Sequence, residues 1–135
     1  MRIVLDTNCL LRAVPAKSNF HCILEELYLG HFILCCSNEI LTEYEELLMR
    51  FYGKDIAENV MNFIINSPYT EKNTPYYKWN LITSDFDDNK FVDCALNAGA
   101  EYIVTNDHHF DILKNISFPK IEVIGIETFK EIVLM

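Results

Sequence analysis

Positive charge is scarce in this chain: 11 Lys and Arg face 20 Asp and Glu, for a formal net charge of −9 over 135 residues. That balance argues against a protein that coats nucleic acid through a basic surface. It does not exclude a nucleic-acid enzyme, because clustered carboxylates counted in the total can be neutralised by bound Mg²⁺ or Mn²⁺. Glycine and proline are few, four of each, which rules out collagenous and low-complexity classes. Long apolar runs are missing as well, so neither a membrane span nor a signal peptide is expected. The five cysteines, Cys9, Cys22, Cys35, Cys36 and Cys94, are odd in number. Taken with His21, His108 and His109, they lack the paired spacing of zinc sites. They read as reduced packing residues of a cytoplasmic protein. What the chain does have is apolar material, half of its residues, enough for one domain over residues 1–135 with a substantial core.

The order of elements alternates. Arg2-Ile3-Val4-Leu5 is a short apolar run that suits a buried central strand. After the loop Val14 to Ser18, Ser18 or Asn19 caps a helix to Leu29, closed by Gly30. His31 to Cys36 is a second strand. Ser37 then caps a helix to about Phe51, with Ile40, Leu41, Tyr44, Leu47, Leu48 and Phe51 on one face. Asp55-x-x-Glu58 has the form of a capping box for a helix to Asn66 that carries Ile56, Val60, Phe63 and Ile64 inward. A polar connection over Tyr69 to Tyr76 leads to an expected short strand, Tyr77 to Ile82. A helix from Asp88 to Ala98 ends at Gly99. Tyr102 to Thr105 is a strand, Asp107 to Leu113 a short helix, Ile121 to Ile124 a strand, and Glu127 to Val133 a terminal helix. This alternation predicts an α/β fold, a three-layer α/β/α sandwich on a central, mainly parallel sheet.

Acids sit at telling places in that order. Asp6 falls where the first strand stops, and in an open α/β sheet ligands collect outside the carboxyl ends of the strands. Asp107, in Thr105-Asn106-Asp107, repeats that placement after a later strand. Asp88 lies three and four residues before Phe91 and Val92, so it continues the inward stripe, whereas Asp93 is turned away from it. Among the glutamates of the second long helix, Glu43 lies about 90° from the centre of the apolar stripe, nearest of the four but with Glu45 close behind. Each position also has a plain structural reading. Asp6, or one of Asp85, Asp87 and Asp88, can merely cap a helix, and glutamates on a helix usually form a solvated face.

Four acids contributed by separate elements suit a divalent-metal site, because hard cations prefer carboxylate oxygen and need neither His nor Cys. Such a site can acidify water for attack on a phosphodiester and neutralise charge on the scissile phosphate. Arg12, Lys17 and Lys90 flank the acidic mouth and are the candidates for substrate contact. Their alternative role is ordinary solvated charge.

Ile3-Val4-Leu5-Asp6-Thr7-Asn8, Glu43 with its preceding residues from Ser37, the segment Asp87 to Ala95, and Gly99 to Asp107 together resemble the PIN-domain family, in particular PIN proteins that serve as toxins of prokaryotic toxin-antitoxin systems. The resemblance covers nearly the whole chain. It implies a PIN-like fold and a metal-dependent ribonuclease whose Mg²⁺ or Mn²⁺ is held by a quartet of acids, here Asp6, Glu43, Asp88 and Asp107. Asp93 is an extra acid that competes for the third place. The resemblance further implies that Thr105 and Asn8 brace the carboxylates, and that the partners are RNA as substrate, a cognate antitoxin and a second copy in a homodimer.

Two other classes remain. A phosphoacceptor signalling module also gathers acids at strand ends, but usually with two adjacent acids after the first strand and a lysine after a late one. Here Thr7 follows Asp6, and no lysine adjoins Thr105. A catalytically idle PIN-like interaction protein would carry its acids for solubility alone.

Overall fold

The computed structural model describes residues 1–135. Strand β1 (Arg2–Leu5) is followed by helices α1 (Thr7–Ala13) and α2 (Cys22–Leu29), then by β2 (Ile33–Cys36). Helices α3 (Asn38–Tyr52) and α4 (Lys54–Asn66) lead to β3 (Thr70–Lys72), and a 3-10 turn over Phe86–Asp88 leads into α5 (Asn89–Ala98). Strand β4 (Tyr102–Val104), a 3-10 segment (His108–Asn115), β5 (Glu122–Ile124) and α6 (Ile126–Leu134) complete the order. All strand pairs are parallel, in the spatial order β3-β2-β1-β4-β5.

That order reverses between β1 and β4. The chain leaves β1 towards β2 on one side and comes back to pair β4 on the other, so the loops after the two strands diverge and open a crevice. Register brings the two ends level: Leu5 pairs with Val104, and the Asp6 N–H donates to the Val104 carbonyl at 3.0 Å. Asp6 and Thr105 thus emerge side by side.

Ile3, Val4 and Leu5 are consecutive and all buried. Successive strand residues point to opposite faces, so both faces of the sheet are covered, giving the expected three layers. Helix α5 lies against β1, β2 and β4. Phe91 meets Phe110 with ring centroids 6.3 Å apart, joining α5 to the segment after β4. Phe32 and Phe129 pack edge to face at 5.1 Å, joining the start of β2 to α6. The fully buried Tyr44 donates its hydroxyl to the Leu5 carbonyl at 2.5 Å, and Tyr52 donates to the Leu11 carbonyl at 2.6 Å. These two bonds fasten α3 to β1 and α1.

Several expected elements differ from those observed. No strand forms over residues 77–82; the edge strand is the polar Thr70–Lys72. Buried Ile82 finds its partner in a side chain instead of a ladder. Its N–H donates to Asn89 Oδ1 and its carbonyl accepts from Asn89 Nδ2, both at 2.9 Å. Asn80 has φ 53, a left-handed conformation that extended pairing does not allow. Charged side chains suit an edge such as β3, and Glu71 there accepts from the two terminal guanidinium nitrogens of Arg2 at 2.6 and 2.5 Å.

The Asp55-x-x-Glu58 capping box does not form. Gly53, with φ 85 and ψ 172, joins α3 directly to α4, a backbone conformation essentially confined to glycine. The stripe of α4 accordingly centres on Ala57, Met61 and Ile64, leaving Ile56 exposed; Phe51 of α3 is exposed as well. Helix α2 starts at Cys22 rather than at Ser18 or Asn19, because Ser18 is occupied in a turn, its N–H on the Pro15 carbonyl and its hydroxyl on the Arg12 carbonyl. No helix is long and apolar enough to cross a membrane.

Candidate active site

Asp6 stands at the head of α1, with φ −61 and ψ 145, yet its carboxylate caps nothing. Only 6% exposed, it accepts the Thr105 hydroxyl on Oδ2 at 2.7 Å. Burial pushes its carboxyl pKa up, and the negative charges of Asp107 and Glu43 add to that; the Thr105 bond works against them. Thr105 Oγ1 in turn accepts the Asp107 N–H at 3.0 Å. One hydroxyl therefore positions two of the acids expected from sequence. Asp107 spends one oxygen on local structure, since its Oδ1 accepts the His109 N–H at 2.9 Å and caps the 3-10 segment.

Glu43 reaches the same region from α3. It accepts a hydrogen bond from the Thr7 hydroxyl and pairs with Lys90 Nζ at 2.7 Å. Lys90 also pairs with Asp87 at 2.8 Å, and its side chain is 8% exposed. Burial lowers the Lys90 pKa, but the bonds to Asp87 and Glu43 outweigh it and the net direction is upward. Lys90, expected at the rim, thus sits inside the acidic cluster as a fixed counter-charge.

Asp88 lies where the 3-10 turn becomes α5, and it makes no capping bond. That task falls to Asp85, whose Oδ1 accepts the Asp87 N–H at 3.1 Å. Burial pushes the Asp88 carboxyl up to about 6, with Asp85, Asp107 and Asp6 repelling its charge and His109 opposing the rise. Mutual influence among Asp6, Glu43, Asp88 and Asp107 puts the four acids in one electrostatic neighbourhood.

Asp93 sits apart from them. It is turned away from the stripe, as helical phase requires, but the irregular segment 73–82 covers that side of α5 and leaves Asp93 only 7% exposed. Its carboxylate accepts the Trp79 N–H at 3.0 Å. It lines a polar groove of about 340 Å³ with Lys78, Asn80, Asn89 and Lys90.

Asn8 and Arg12 line a recess of about 190 Å³ with Asp6, Cys9, Asn106 and Asp107. The Arg12 guanidinium lies over the Phe20 ring, 4.6 Å from its centroid, which restrains it at that rim. Lys17 is exposed on the loop between α1 and α2 and does not line the recess.

His109 is the residue that sequence pattern did not single out. Its Nδ1 lies 3.2 Å from Asp88 Oδ2, 3.3 Å from Asp107 Oδ1 and 3.9 Å from Asp85 Oδ2. Its pKa is raised, first by the bond to Asp88 and then by the charge of Asp107. The one sequence signal was its place two residues after a strand-end acid.

The donor chemistry of this region fits a hard divalent cation. Carboxylate oxygens dominate it, and Asp6 and Asp88 are raised first by burial and then by neighbouring like charges, with Lys90 and His109 as the nearby positive groups. Asp85, Asp88 and His109 each offer a ligand atom within 4.8 Å of the others.

A doubly wound parallel sheet with carboxylates gathered outside its central strands defines an α/β domain with an acidic centre at the topological switch point. The chain matches the family model described as PIN domain over residues 2–109, a span that includes all four acids; it belongs to the PIN-domain family. Among solved structures it is similar to the crystal structure of VapBC2 from Rickettsia felis bound to a DNA fragment from their promoter. The TM-score is 0.64 at 18% identity, over 93% of this chain and 98% of that one, so the two share the fold. Comparison with curated proteins gives no match.

Proposed function

We propose that the chain is a single-domain, divalent-metal-dependent ribonuclease of the cytoplasm that hydrolyses RNA phosphodiester bonds as the toxin of a toxin-antitoxin pair. What supports this reading is that four acids from separate elements share one electrostatic neighbourhood: Asp6 feels the charges of Asp107 and Glu43, and Asp88 those of Asp107 and Asp6. These four would hold Mg²⁺ or Mn²⁺, with Asp93 as the secondary candidate for the third place. Bound there, the cation supplies Lewis acidity towards the phosphodiester and its attacking water and neutralises phosphate charge. Hydrolysis adds water across one P–O bond, leaving a phosphate monoester on one fragment and a hydroxyl on the other.

The chain's own groups prepare that step. Thr105 fixes the Asp6 carboxylate and, through the Asp107 N–H, the start of the turn that carries Asp107. Thr7 and Lys90 fix Glu43. Asn8, exposed in the recess beside Asp6, would brace the cluster from its open side. Lys90 has three donors, two of them engaged by Glu43 and Asp87, which leaves one for a substrate phosphate. Arg12 and Lys17 contact the strand further out.

The resemblance to PIN toxins and the fold shared with VapBC2 support an antitoxin as partner; the homodimer rests on the resemblance alone. Basic antitoxin side chains reaching the carboxylates would inhibit in a physically direct way.

The test is cleavage of mixed-sequence single-stranded RNA with Mn²⁺ or Mg²⁺ and in excess EDTA, with Asp6→Asn alongside. Metal-dependent cleavage that Asp6→Asn abolishes is expected. In EDTA the melting temperature of that variant should exceed the wild type's, because one member of the charge conflict is gone. Undiminished cleavage by Asp6→Asn, or by the wild type in EDTA, would overturn the reading.

A further inference from the structure

We propose that His109 is a metal ligand, and that its Nδ1 with the carboxylates of Asp85 and Asp88 makes the centre prefer a first-row transition divalent ion to Mg²⁺. The proposal rests on the acidic crevice being a metal site and concerns which ion that site is built to take.

Three observations carry it. The first is aim. The Nδ1 of His109 faces Asp88, Asp107 and Asp85 at 3.2, 3.3 and 3.9 Å. Its neighbour His108 is 94% exposed and turns to Asp111 instead. The second is fixation. The His109 N–H is held by Asp107 Oδ1, the Asp107 N–H by Thr105 Oγ1, and the Thr105 hydroxyl by Asp6. The backbone that carries the ring is therefore held by the same chain of bonds that orients the strand-end acids. The third is spacing. In six-coordinate geometry with bonds of about 2.1 Å, adjacent donors stand about 3 Å apart and opposed ones about 4.2 Å. The Nδ1 distances to Asp88 and Asp107 fall near the first value, and that to Asp85 falls between the two.

The consequence is selectivity. Mg²⁺ takes oxygen ligands and gains little from an imidazole, whereas first-row transition ions bind nitrogen well. A set of carboxylates alone would not separate Mn²⁺ from Mg²⁺ in this way; one ring nitrogen added to it does.

The simpler reading of the same distances is that a charged imidazole serves only as a counter-ion to three carboxylates. The two readings predict opposite signs. Removing a ligand weakens binding of a transition ion, while removing a competing positive charge strengthens binding of every divalent cation.

The experiment measures Mn²⁺ and Mg²⁺ affinity calorimetrically for the full chain, for His109→Gln and for His108→Gln, and records pulsed EPR of bound Mn²⁺ for ¹⁴N coupling. The wild type should bind Mn²⁺ more tightly than Mg²⁺ and show ¹⁴N coupling. His109→Gln should lose the coupling and at least about tenfold in Mn²⁺ affinity, with Mg²⁺ affinity nearly unchanged. His108→Gln should match the wild type. Mn²⁺ bound without ¹⁴N coupling in the wild type, or bound as tightly or more tightly by His109→Gln, would overturn the assignment of His109 and leave the metal centre standing. A wild type that binds neither ion would overturn both. The ¹⁴N measurement needs only the native chain, so it decides the question even where a variant folds poorly.

Discussion

Thr105 joins Asp6 across the boundary between two neighbouring parallel strands, its hydroxyl donating at 2.7 Å to a carboxylate 99 residues earlier in the chain while accepting the N–H of Asp107 at 3.0 Å. Both of its hydrogen-bonding roles are used in a buried position. Thr105→Val keeps the shape and removes the hydroxyl, stranding one acceptor and one donor, and should cost about 1–3 kcal/mol of stability. Thr105→Ser should restore most of it. Denaturant unfolding checks the stability, and RNA cleavage should fall with valine and recover with serine. Equal activity in all three would mean that Asp6 needs no such brace.

Lys90 supplies the internal positive charge that Glu43 and Asp87 share. Lys90→Met should destabilise the metal-free protein, again by about 1–3 kcal/mol, since two partners lose a charge-assisted bond. The same variant should gain more from added Mg²⁺ or Mn²⁺ than the wild type does, because Glu43 is then released to the cation. Melting in EDTA against melting in excess metal measures both effects. A smaller metal-induced rise in Lys90→Met would contradict them.

Acidity should stabilise the metal-free chain over a defined interval. The Asp88 carboxyl is raised from its ordinary 3.8 to about 6 by burial and neighbouring carboxylates, and burial moves Asp6 in the same direction. Each binds its proton more tightly folded than unfolded, so folding is favoured as pH falls through about 6 towards 4. His109, raised by Asp88, has the same sign: its contribution is complete below its unfolded pKa and is lost as pH rises through its folded one. Melting temperature in EDTA should therefore climb as pH falls from about 7.5 to about 5. Asp88→Asn or saturating Mn²⁺ should flatten the slope, and an unchanged slope in Asp88→Asn would assign the effect elsewhere.

Asp88 and Asp93 separate by what each carboxylate touches. Asp88→Asn should abolish metal-dependent cleavage with little loss of fold stability. Asp93→Asn keeps an oxygen for the Trp79 N–H and should leave activity mostly intact. Asp93→Ala deprives that N–H of its partner and should cost about 1 kcal/mol. Cleavage kinetics beside thermal melts distinguish the three. A dead Asp93→Asn with an active Asp88→Asn would exchange their roles.

Much of this centre could be read from sequence because its signals are local. An apolar β-branched run that stops at an acid marks Asp6 and Asp107, and an acid in phase with Phe91 and Val92 marks Asp88. Glu43 could be ranked above Glu45 only narrowly by helical phase; what singles it out is Tyr44, whose bond to the Leu5 carbonyl fixes the rotation of α3. The features that pattern did not reach depend on partners distant in sequence or on irregular backbone. The edge strand Thr70–Lys72 has no apolar alternation, and the apolar stretch at 77–82 is held by Asn89 rather than by a ladder. Asp93 is buried by a segment with no regular structure, and His109 is aimed by a 3-10 turn rather than by helical periodicity.

The pairing of β1 with β4 also sets when the protein becomes dangerous to the cell that makes it, if it cuts RNA as proposed. Translation delivers Asp6 and Glu43 early, with β1, β2 and α3, but Asp88 and Asp107 arrive only with α5 and the turn after β4. Ile3 finds Tyr102, 99 residues further along the chain, and contacts of such sequence separation form late. A ribosome carrying the first half of the chain thus holds only half of the carboxylates. The centre closes after the strand that bears its last acid has emerged and docked, so the nascent polypeptide is harmless to its own message for most of its synthesis.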